Sequence, residues 1–287
     1  MRIHAAILVL GFAAAPAGRN GPTPKPSSAA PRDIEIIGLD YAFQVPPQIA
    51  AGPTTFRFVN KGKASHELNI SLLKPGASVK KFMDAVVADK PTGEFRDGPV
   101  GVLFAEPGKR GTAGLTSNLL AGRTYVIICI FRDSAKAKQH FAMGMVSTFV
   151  PTGVDAPIIV GTRIDTIVAT EYAFDYPRTL APGKHTFAFV NRGKFRHEVI
   201  MSVLKKGVTL QRVLETQKAG GDVGALIEDD FGVLHSPAGS APLGMFEIAM
   251  LPDREYTIVC TFSNDEKSPS HLKLGMFGSI RVSGAAP

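Results

Sequence analysis

The sequence predicts an all-β protein made of two tandem Greek-key β-sandwich domains, each with one short inserted helix. Three observations support this fold class: short runs of alternating apolar residues, turn residues after each run, and a repeat of the whole pattern after 131 residues. Residues 55–59 and 186–190 both alternate apolar side chains with others, and both runs end at an Asn-x-Gly turn. Such spacing is typical of antiparallel sandwiches.

Length and composition fit two compact units. The chain has 287 residues, 45% of them hydrophobic, with 29 Gly and 21 Pro, which describes a turn-rich globular protein. Each repeat is long enough to bury its own core. We therefore predict one domain over residues 33–151, a Pro/Gly-rich linker over residues 152–163, and a second domain over residues 164–283. Such a short linker brings the domains close without fixing their angle.

The first residues are predicted to be a secretory leader. Arg2 supplies the charge, residues 5–15 are apolar, and Ala15-Pro16-Ala17 is an A-x-A cleavage pattern. We predict a signal peptide over residues 1–17 and a flexible linker, rich in Gly, Pro, Ser and Ala, over residues 18–32. The mature chain has no apolar run long enough to span a membrane, so the protein is expected in the periplasm or secreted.

Further strands and the helices follow from local patterns. Strands are predicted at residues 35–37, 67–73, 124–131 and 145–150, with counterparts 131 residues later. Ser78 and Thr209 are favourable helix N-caps, and apolar residues follow them at helical spacing. Met83 belongs to the first of these helices, so it is assigned to the core and not to a metal site.

Four chemically distinctive residue types recur at the same offset. Each unit contains two histidines, one cysteine and one methionine, and the only two cysteines of the chain lie on this repeat. Two imidazoles, a thiolate and a thioether together favour copper in a site suited to single-electron transfer. The candidate metal ligands are His66, Cys129, His140 and Met145 in the first unit and His197, Cys260, His271 and Met276 in the second.

These motifs resemble those of the cupredoxins, the small blue copper proteins. The resemblance covers nearly all of both units, and its most specific part is a His followed five residues later by a Met that comes directly after Gly. It implies two mononuclear copper sites, one per domain. His66, Cys129 and His140 would form a trigonal set with Met145 as a weak axial ligand, and the second unit would use the equivalent residues. It further implies electron transfer through an exposed edge of the later histidine of each site.

Two features differ from the cupredoxin pattern. Ten residues separate Cys from His in each unit, more than is usual. The loop 130–139 either projects into solvent as a partner contact or holds His140 away from Cys129 until metal or a partner arrives. Glu67 and Glu198 follow the early histidines where many cupredoxins have Asn. Each glutamate either points outward and pairs with a lysine, or faces the site and alters its redox potential or gives it a preference for another metal.

Other interpretations of the repeated residues remain open. The two cysteines could form an inter-domain disulfide, since cysteine pairs are common in exported proteins. The histidines could be ordinary buried residues of a metal-free binding or scaffold module. With the same ligands, the protein could also sequester or deliver copper. His185 and His235 fall outside the repeat, on a strand start and a loop, and are predicted to be surface groups.

The sequence argues against several other functions. No His-x-His pair or His beside the cysteines is present to hold further copper, and no G-x-S-x-G occurs, so we predict that the chain is not an enzyme. The formal net charge of +7 is scattered and lacks interleaved aromatics, which excludes nucleic acid as a partner. An acidic redox partner protein fits this charge. The oligomeric state is left open.

Overall fold

A computed structural model describes residues 31–155 and 164–284. The strands of the first unit are β1 Arg32–Leu39, β2 Ala42–Gln44, β3 Gly52–Asn60, β4 His66–Leu73, β5 Arg96–Ala105, β6 Arg110–Leu119, β7 Tyr125–Ile128 and β8 Val146–Phe149. Those of the second are β9 Ile164–Ala169, β10 Phe174–Asp175, β11 Thr179–Leu180, β12 Gly183–Asn191, β13 His197–Leu204, β14 Ile227–Ser236, β15 Gly244–Met250, β16 Glu255–Val259 and β17 Phe277–Val282. The helices are α1 Val79–Val87 and α2 Leu210–Lys218, with 3-10 turns at His140–Met143 and Gly224–Leu226.

The strands form two packed sheets. One has eight strands in the order β10-β9-β12-β15-β6-β3-β1-β2, and the other has nine in the order β11-β17-β16-β13-β14-β5-β4-β7-β8. The chain passes from one layer to the other between β3 and β4, between β5 and β6, and between β6 and β7. Alternate residues of the strands face the core between the layers, where Phe56, Phe58, Phe187 and Phe189 are buried. The predicted all-β sandwich class is therefore confirmed.

Both sheets run without interruption across the two units. Strand β5 pairs antiparallel with β14, and β6 pairs antiparallel with β15. Val102 lies opposite Val233 in the first seam, and Leu115 lies opposite Phe246 in the second. The residues of each pair are 131 positions apart, so a pseudo-two-fold axis passes through both pairs. The orientation of the units is thus set by strand pairing, which the composition of the linker did not reveal.

Close backbone packing and polar contacts hold the seam. Gly232 has a φ of +146°, and a Cβ there would lie 1.9 Å from the carbonyl oxygen of Val102, so only glycine fits. The backbone N–H of Leu243 donates to the carbonyl of Pro99 at 2.8 Å, and Arg57 forms an ion pair with Glu247. Both layers of the sandwich therefore contribute contacts between the units.

The two predicted helices form where their caps place them. The side chains of Ser78 and Thr209 accept hydrogen bonds from the backbone N–H three residues later, that of Lys81 at 3.4 Å and that of Arg212 at 3.3 Å. Helix α1 buries Phe82 on the outer face of the nine-stranded sheet, where it forms a second, smaller core. Met83 packs partly buried against this core.

Several predictions concern residues that the structure does not describe. The predicted signal peptide, residues 1–17, and most of the linker 18–32 lie outside the described residues, as do residues 156–163 of the second linker. Within the described residues, no helix combines the length and hydropathy that a bilayer span requires.

Candidate metal centres

The early histidine of each unit begins a strand directly after the Asn-x-Gly turn. The side chain of Asn60 braces this turn: its Oδ1 accepts from the N–H of Gly62 at 2.8 Å, and its Nδ2 donates to the carbonyls of Ala64 and Ala105. A Cβ on Gly62 would lie 2.9 Å from Nε2 of His66. Glycine is therefore required here because the turn passes directly over the imidazole.

The cysteine leaves the end of β7 and is tied to the later ligands by the backbone. Its N–H donates to the carbonyl of Met145 at 3.2 Å, and its carbonyl accepts from Phe141 at 2.8 Å. The N–H of His140 donates to the carbonyl of Phe131 at 2.9 Å. The ten-residue loop therefore leaves at Phe131 and returns at His140, so its length does not separate the cysteine from the histidine. The idea that the loop holds His140 away is wrong.

Three donor atoms converge in the first unit. Nδ1 of His66 lies 3.0 Å from Nδ1 of His140, and Sγ of Cys129 lies 3.9 and 3.4 Å from these two nitrogens. Donors that bind one ion at about 2.0 Å for nitrogen and 2.3 Å for sulfur lie about 3.5 Å apart in a trigonal arrangement. The three donor atoms are therefore spaced so that they could bind a single metal ion at these bond lengths.

The second unit repeats this triangle. Nδ1 of His197 lies 3.0 Å from Nδ1 of His271, and Sγ of Cys260 lies 3.9 and 3.4 Å from them. In each triangle all three side chains are buried. Both cysteines are free, so the disulfide alternative is not realised. The structure thus brings together His66, Cys129 and His140, and separately His197, Cys260 and His271.

Burial suppresses charge on the donors of the metal-free protein. Burial raises the pKa of the Cys129 thiol to about 12 and that of Cys260 to about 11. Burial, with the neighbouring His271, lowers the pKa of His197 to about 4, and burial with His140 lowers the pKa of His66. A metal ion would therefore meet neutral imidazoles at His66 and His197 and would displace one thiol proton at each site.

The methionines lie beside these triangles in the chain. Met145 and Met276 are fully buried. The N–H of Met145 donates to the carbonyl of His140 at 3.0 Å, and Met276 makes the same contact with His271 at 2.9 Å. Their backbones are therefore fixed next to the ligand triangles. Whether either thioether binds metal stays a prediction.

Glu67 and Glu198 lie inside the protein and support the cysteine strand. The N–H of Glu67 donates to Sγ of Cys129 at 3.4 Å, and its carboxyl accepts from the N–H of Ile130 at 3.3 Å. Burial raises the pKa of Glu67 to about 7. In the second unit the carboxyl of Glu198 accepts from the backbone and side chain of Thr261. The expectation of an outward glutamate paired with lysine is therefore wrong.

A tyrosine and a loop residue cover the outer edge of each late histidine. Asp133 Oδ1 lies 3.0 Å from Nε2 of His140, and its Oδ2 accepts from the hydroxyl of Tyr41 at 2.6 Å. The ring of Tyr41 packs edge-on against His140, with ring centroids 5.2 Å apart. His140 is only 1% exposed. The predicted exposed histidine edge is therefore wrong, because the long loop folds back over it.

The second unit has the same cover with one change of charge. Asn264 takes the place of Asp133, with its Oδ1 2.9 Å from Nε2 of His271 and its Nδ2 donating to Tyr172 at 2.9 Å. Tyr41 and Tyr172 have φ angles of 62° and 59°, a strained region for tyrosine. The sequence did not reveal these two tyrosines as part of the sites, because no local motif marks them; their recurrence 131 residues apart was the available signal.

His185 and His235, the described histidines outside the repeat, are not simple surface groups. His185 is partly buried and contacts Asp165 at 2.6 Å. His235 lies on β14 and not on a loop, and only 7% of it is exposed. Burial, together with Arg196 and Arg96, lowers its pKa to about 3. The prediction of surface positions is therefore wrong for His235, because β14 extends to Ser236.

Comparison with known proteins gives structural likenesses only. No protein-family model matches the sequence, and no sequence among curated proteins matches it. Solved structures that resemble it include an auracyanin from Roseiflexus castenholzii (23% identity, 43% of this chain and 96% of that chain, TM-score 0.28). They also include auracyanin A, a blue copper protein from Chloroflexus aurantiacus (21% identity, 42% of this chain and 98% of that chain, TM-score 0.26). A third is the multicopper oxidase McoA from Aquifex aeolicus (12% identity, 88% of this chain and 66% of that chain, TM-score 0.27).

Multicopper oxidases are enzymes. The prediction that this chain is not an enzyme is therefore contradicted by the comparison, although TM-scores this low assign no activity to the chain. The fold and the sites rest on the chain's own features: a two-sheet sandwich with crossovers between layers, and a buried His-Cys-His group at the same place in each unit. By these features, the protein consists of two cupredoxin-like β-sandwich domains.

Proposed function

We propose that the protein is a periplasmic or secreted electron-transfer protein that holds one copper ion in each domain. The observation that carries the proposal is the pair of buried triangles of two imidazole nitrogens and one thiol sulfur, each with its donor atoms already converged. The first site would use His66, Cys129, His140 and an axial Met145. The second would use His197, Cys260, His271 and an axial Met276.

The donor types favour copper over other common metals. Thiolate and thioether sulfur suit cuprous ion, imidazole accepts both oxidation states, and the trigonal two-histidine, one-cysteine set is typical of electron-transfer sites. Bound copper would supply a one-electron redox couple. The chain's own residues would keep the ligand positions constant, because Asn60 braces the turn before His66 and the backbone of Cys129 is tied to Met145.

An open recess above the first site gives a place for a redox partner. It has a volume of about 590 Å³ and is lined by residues that include Tyr41, Lys63, Phe131 and Asp133. Tyr41 and Asp133 both contact His140, so an electron would cross this layer instead of a bare imidazole edge. The formal charge of +7 favours an acidic partner protein. Export through the predicted signal peptide 1–17 remains part of the proposal.

Copper sequestration or delivery has less support. Release of metal would require the loop 130–139 to open, yet Asp133 contacts both His140 and Tyr41, and the backbone closes the loop at Phe131. A metal-free scaffold would leave two buried donor triangles without a role. We therefore retain electron transfer as the proposed function.

Copper titration of the purified mature chain tests the proposal. We expect two copper ions per chain, intense thiolate-to-copper absorption in the visible range, and reversible one-electron reduction. Cys129→Ser and Cys260→Ser should each remove one ion and leave the other. Met145→Leu should shift the potential of the first site, whereas the control Met83→Leu, in α1, should not.

The alternative outcomes are distinct. If the reduced protein binds no copper, both electron transfer and copper delivery are excluded. If only cuprous ion binds and exchanges rapidly with a chelator, delivery replaces electron transfer. Oxygen uptake by the copper-loaded protein with a reductant present would instead demonstrate oxidase activity.

A further inference from the structure

A recess of about 550 Å³ lies at the seam between the domains, on the outer face of the nine-stranded sheet. Strands β4 and β14 and the loop before His140 contribute to its wall, so it belongs to neither domain alone. Its lining is rich in hydrogen-bond donors and positive charge. The residues that matter here are Asn69, Arg96, Arg132, Gln139, Arg196 and His235.

Two of these arginines lack a carboxylate partner. Within the described residues, neither Arg96 nor Arg196 lies within ion-pair distance of an acidic group. Among the described side chains, Arg96 donates only to the hydroxyl of Ser71, at 3.5 Å. The guanidinium carbon of Arg196 lies 4.1 Å from the ring centroid of Phe262. Its electrostatic interaction with the Glu198 carboxyl acts over a distance longer than an ion pair. Burial and the charge of Arg196 lower the pKa of Arg96, so the two guanidinium groups repel each other.

The rest of the lining does not neutralise these charges. Among the lining residues, the acidic one is the exposed Asp89, and the exposed Lys90 follows it directly. Arg132 adds a third guanidinium, whose Nη1 donates to the carbonyl of Ala137 at 3.0 Å. The recess therefore holds a net excess of positive charge.

His235 adds an oriented donor. An arginine can only donate, so the 3.4 Å contact from Nη2 of Arg196 requires Nδ1 of His235 to accept. The proton of the neutral ring then lies on Nε2. Nε2 has no hydrogen-bond partner in the part of the chain that the structure describes, and the ring lines the recess. Nε2 is therefore a donor that is accessible from the recess, where a ligand or water can accept its hydrogen bond.

The internal repeat shows that the fold does not need these residues. The positions 131 residues away from Arg96, Arg132, Arg196 and His235 are occupied by Ile227, Ser263, Ser65 and Phe104. The equivalent surface of the second domain, beneath α2, is a smaller and largely apolar cavity of about 230 Å³. The same sandwich therefore forms without the basic cluster, which points to a role in binding.

We propose that this seam recess binds a small oxyanion carrying about two negative charges, such as a phosphate or a dicarboxylate. Its volume lies in the range of small-molecule sites. Guanidinium groups bind phosphate and carboxylate in two-point geometry, and the amides of Asn69 and Gln139 supply further polar contacts. Gln139 precedes His140 and Arg196 precedes His197, so the bound anion lies close to both metal centres. Anion binding itself does not depend on copper.

Calorimetric titration of the mature chain with inorganic phosphate, and separately with succinate, at constant ionic strength tests the site. We expect one saturable site per chain for at least one of the two probes, and the better probe identifies the anion class. Arg96→Ile and Arg196→Ser replace each arginine by the residue found 131 positions away in the other unit, Ile227 and Ser65. Each should weaken binding by about tenfold or more, as loss of a charged hydrogen bond implies. The control Arg212→Gln removes an equal charge from exposed α2 and should leave binding unchanged.

His235→Phe provides an independent test, because β5 already carries Phe104 at the equivalent position. It should weaken binding while the far-ultraviolet circular dichroism stays unchanged. The proposal is overturned if neither probe shows saturable binding up to tens of millimolar. It is also overturned if Arg212→Gln weakens binding as much as the recess variants, which would show a general charge effect.

Discussion

Replacement of Asp133 by asparagine should raise the reduction potential of the first copper site. Asp133 and its counterpart Asn264 make the same contact with a ligand histidine, at 3.0 and 2.9 Å, but only Asp133 carries a charge. Hydrogen bonds from Tyr41 and from His140 lower the pKa of Asp133, so its carboxylate is ionised at neutral pH. A nearby negative charge stabilises cupric more than cuprous ion. The first site with Asp133 should therefore have a lower reduction potential than the same site in the Asp133→Asn variant.

The structure sets the size of this effect. The carboxylate oxygen lies 3.0 Å from Nε2 of His140, and so about 7 Å from an ion bound at Nδ1 of the same ring. A unit charge at that distance changes the potential by about 100 mV at an effective dielectric constant of about 20, and by about 25 mV in water. The Asp133 side chain is 41% exposed, so we expect a shift of about 30 to 50 mV.

Each site must be measured alone. In a Cys260→Ser background only the first site holds copper, and a redox titration of the visible band gives its potential with and without the Asp133→Asn substitution. In a Cys129→Ser background, the reciprocal change Asn264→Asp should lower the potential of the second site by a similar amount. An unchanged or lower potential in Asp133→Asn would refute the electrostatic argument. A shift in only one of the two reciprocal variants would show that loop rearrangement dominates.

Three further predictions concern stability. His235 is neutral in the folded protein because its pKa is about 3, whereas in the unfolded chain it is protonated below about pH 6.5, so acid favours unfolding. Between pH 7 and pH 5 the free energy of unfolding, measured with urea, should therefore fall. This fall should be about 2 kcal/mol smaller in His235→Phe, which lacks the imidazole. Gly232→Ala should lower the free energy of unfolding by more than about 4 kcal/mol in thermal unfolding, because the added Cβ meets a carbonyl of β5. The control Gly76→Ala, where φ is +73° and no atom lies within reach of the Cβ, should lower it by only about 1 to 2 kcal/mol. Glu67→Ala should lower stability by about 1 to 3 kcal/mol, since it leaves a backbone N–H near the cysteine without its acceptor, and Glu67→Gln should restore most of the loss.

The fold class and the ligand triangles could be predicted because they depend on local pattern and on repetition. Alternating apolar runs identify strands, and Ser78 and Thr209 mark helix starts by their capping chemistry. A residue type that recurs at a fixed offset in two copies of one fold must occupy equivalent places. His66 and Cys129, far apart in sequence, could therefore be assigned to one site from the sequence.

The domain arrangement and the cover over the histidines could not be predicted, because they depend on contacts without a local signature. The residues of β5 and β14 alternate like those of any strand, so their mutual pairing is not visible in their composition. In the sequence, Asp133 is only one residue of the loop 130–139. Its position over His140 results from the backbone closure at Phe131, which a loop-length argument does not contain.

The repeat also separates residues that maintain the fold from residues that distinguish the two domains. Tyr41, Asn60 and Glu67 have identical counterparts and make equivalent structural contacts in both halves. Asp133 and the arginines of the seam recess do not, although the backbone around them is repeated. Asp133 adds negative charge at a histidine of the first metal centre. The arginines add positive charge in a recess whose lining residues Gln139 and Arg196 each directly precede a ligand histidine, one in each centre. An anion bound in the recess would partly cancel that positive charge. Arg196 directly precedes the ligand His197, and its charge opposes the burial that raises the pKa of Cys260. Such an anion should therefore lower the potentials of both copper sites, each measured alone in the Cys260→Ser and Cys129→Ser backgrounds.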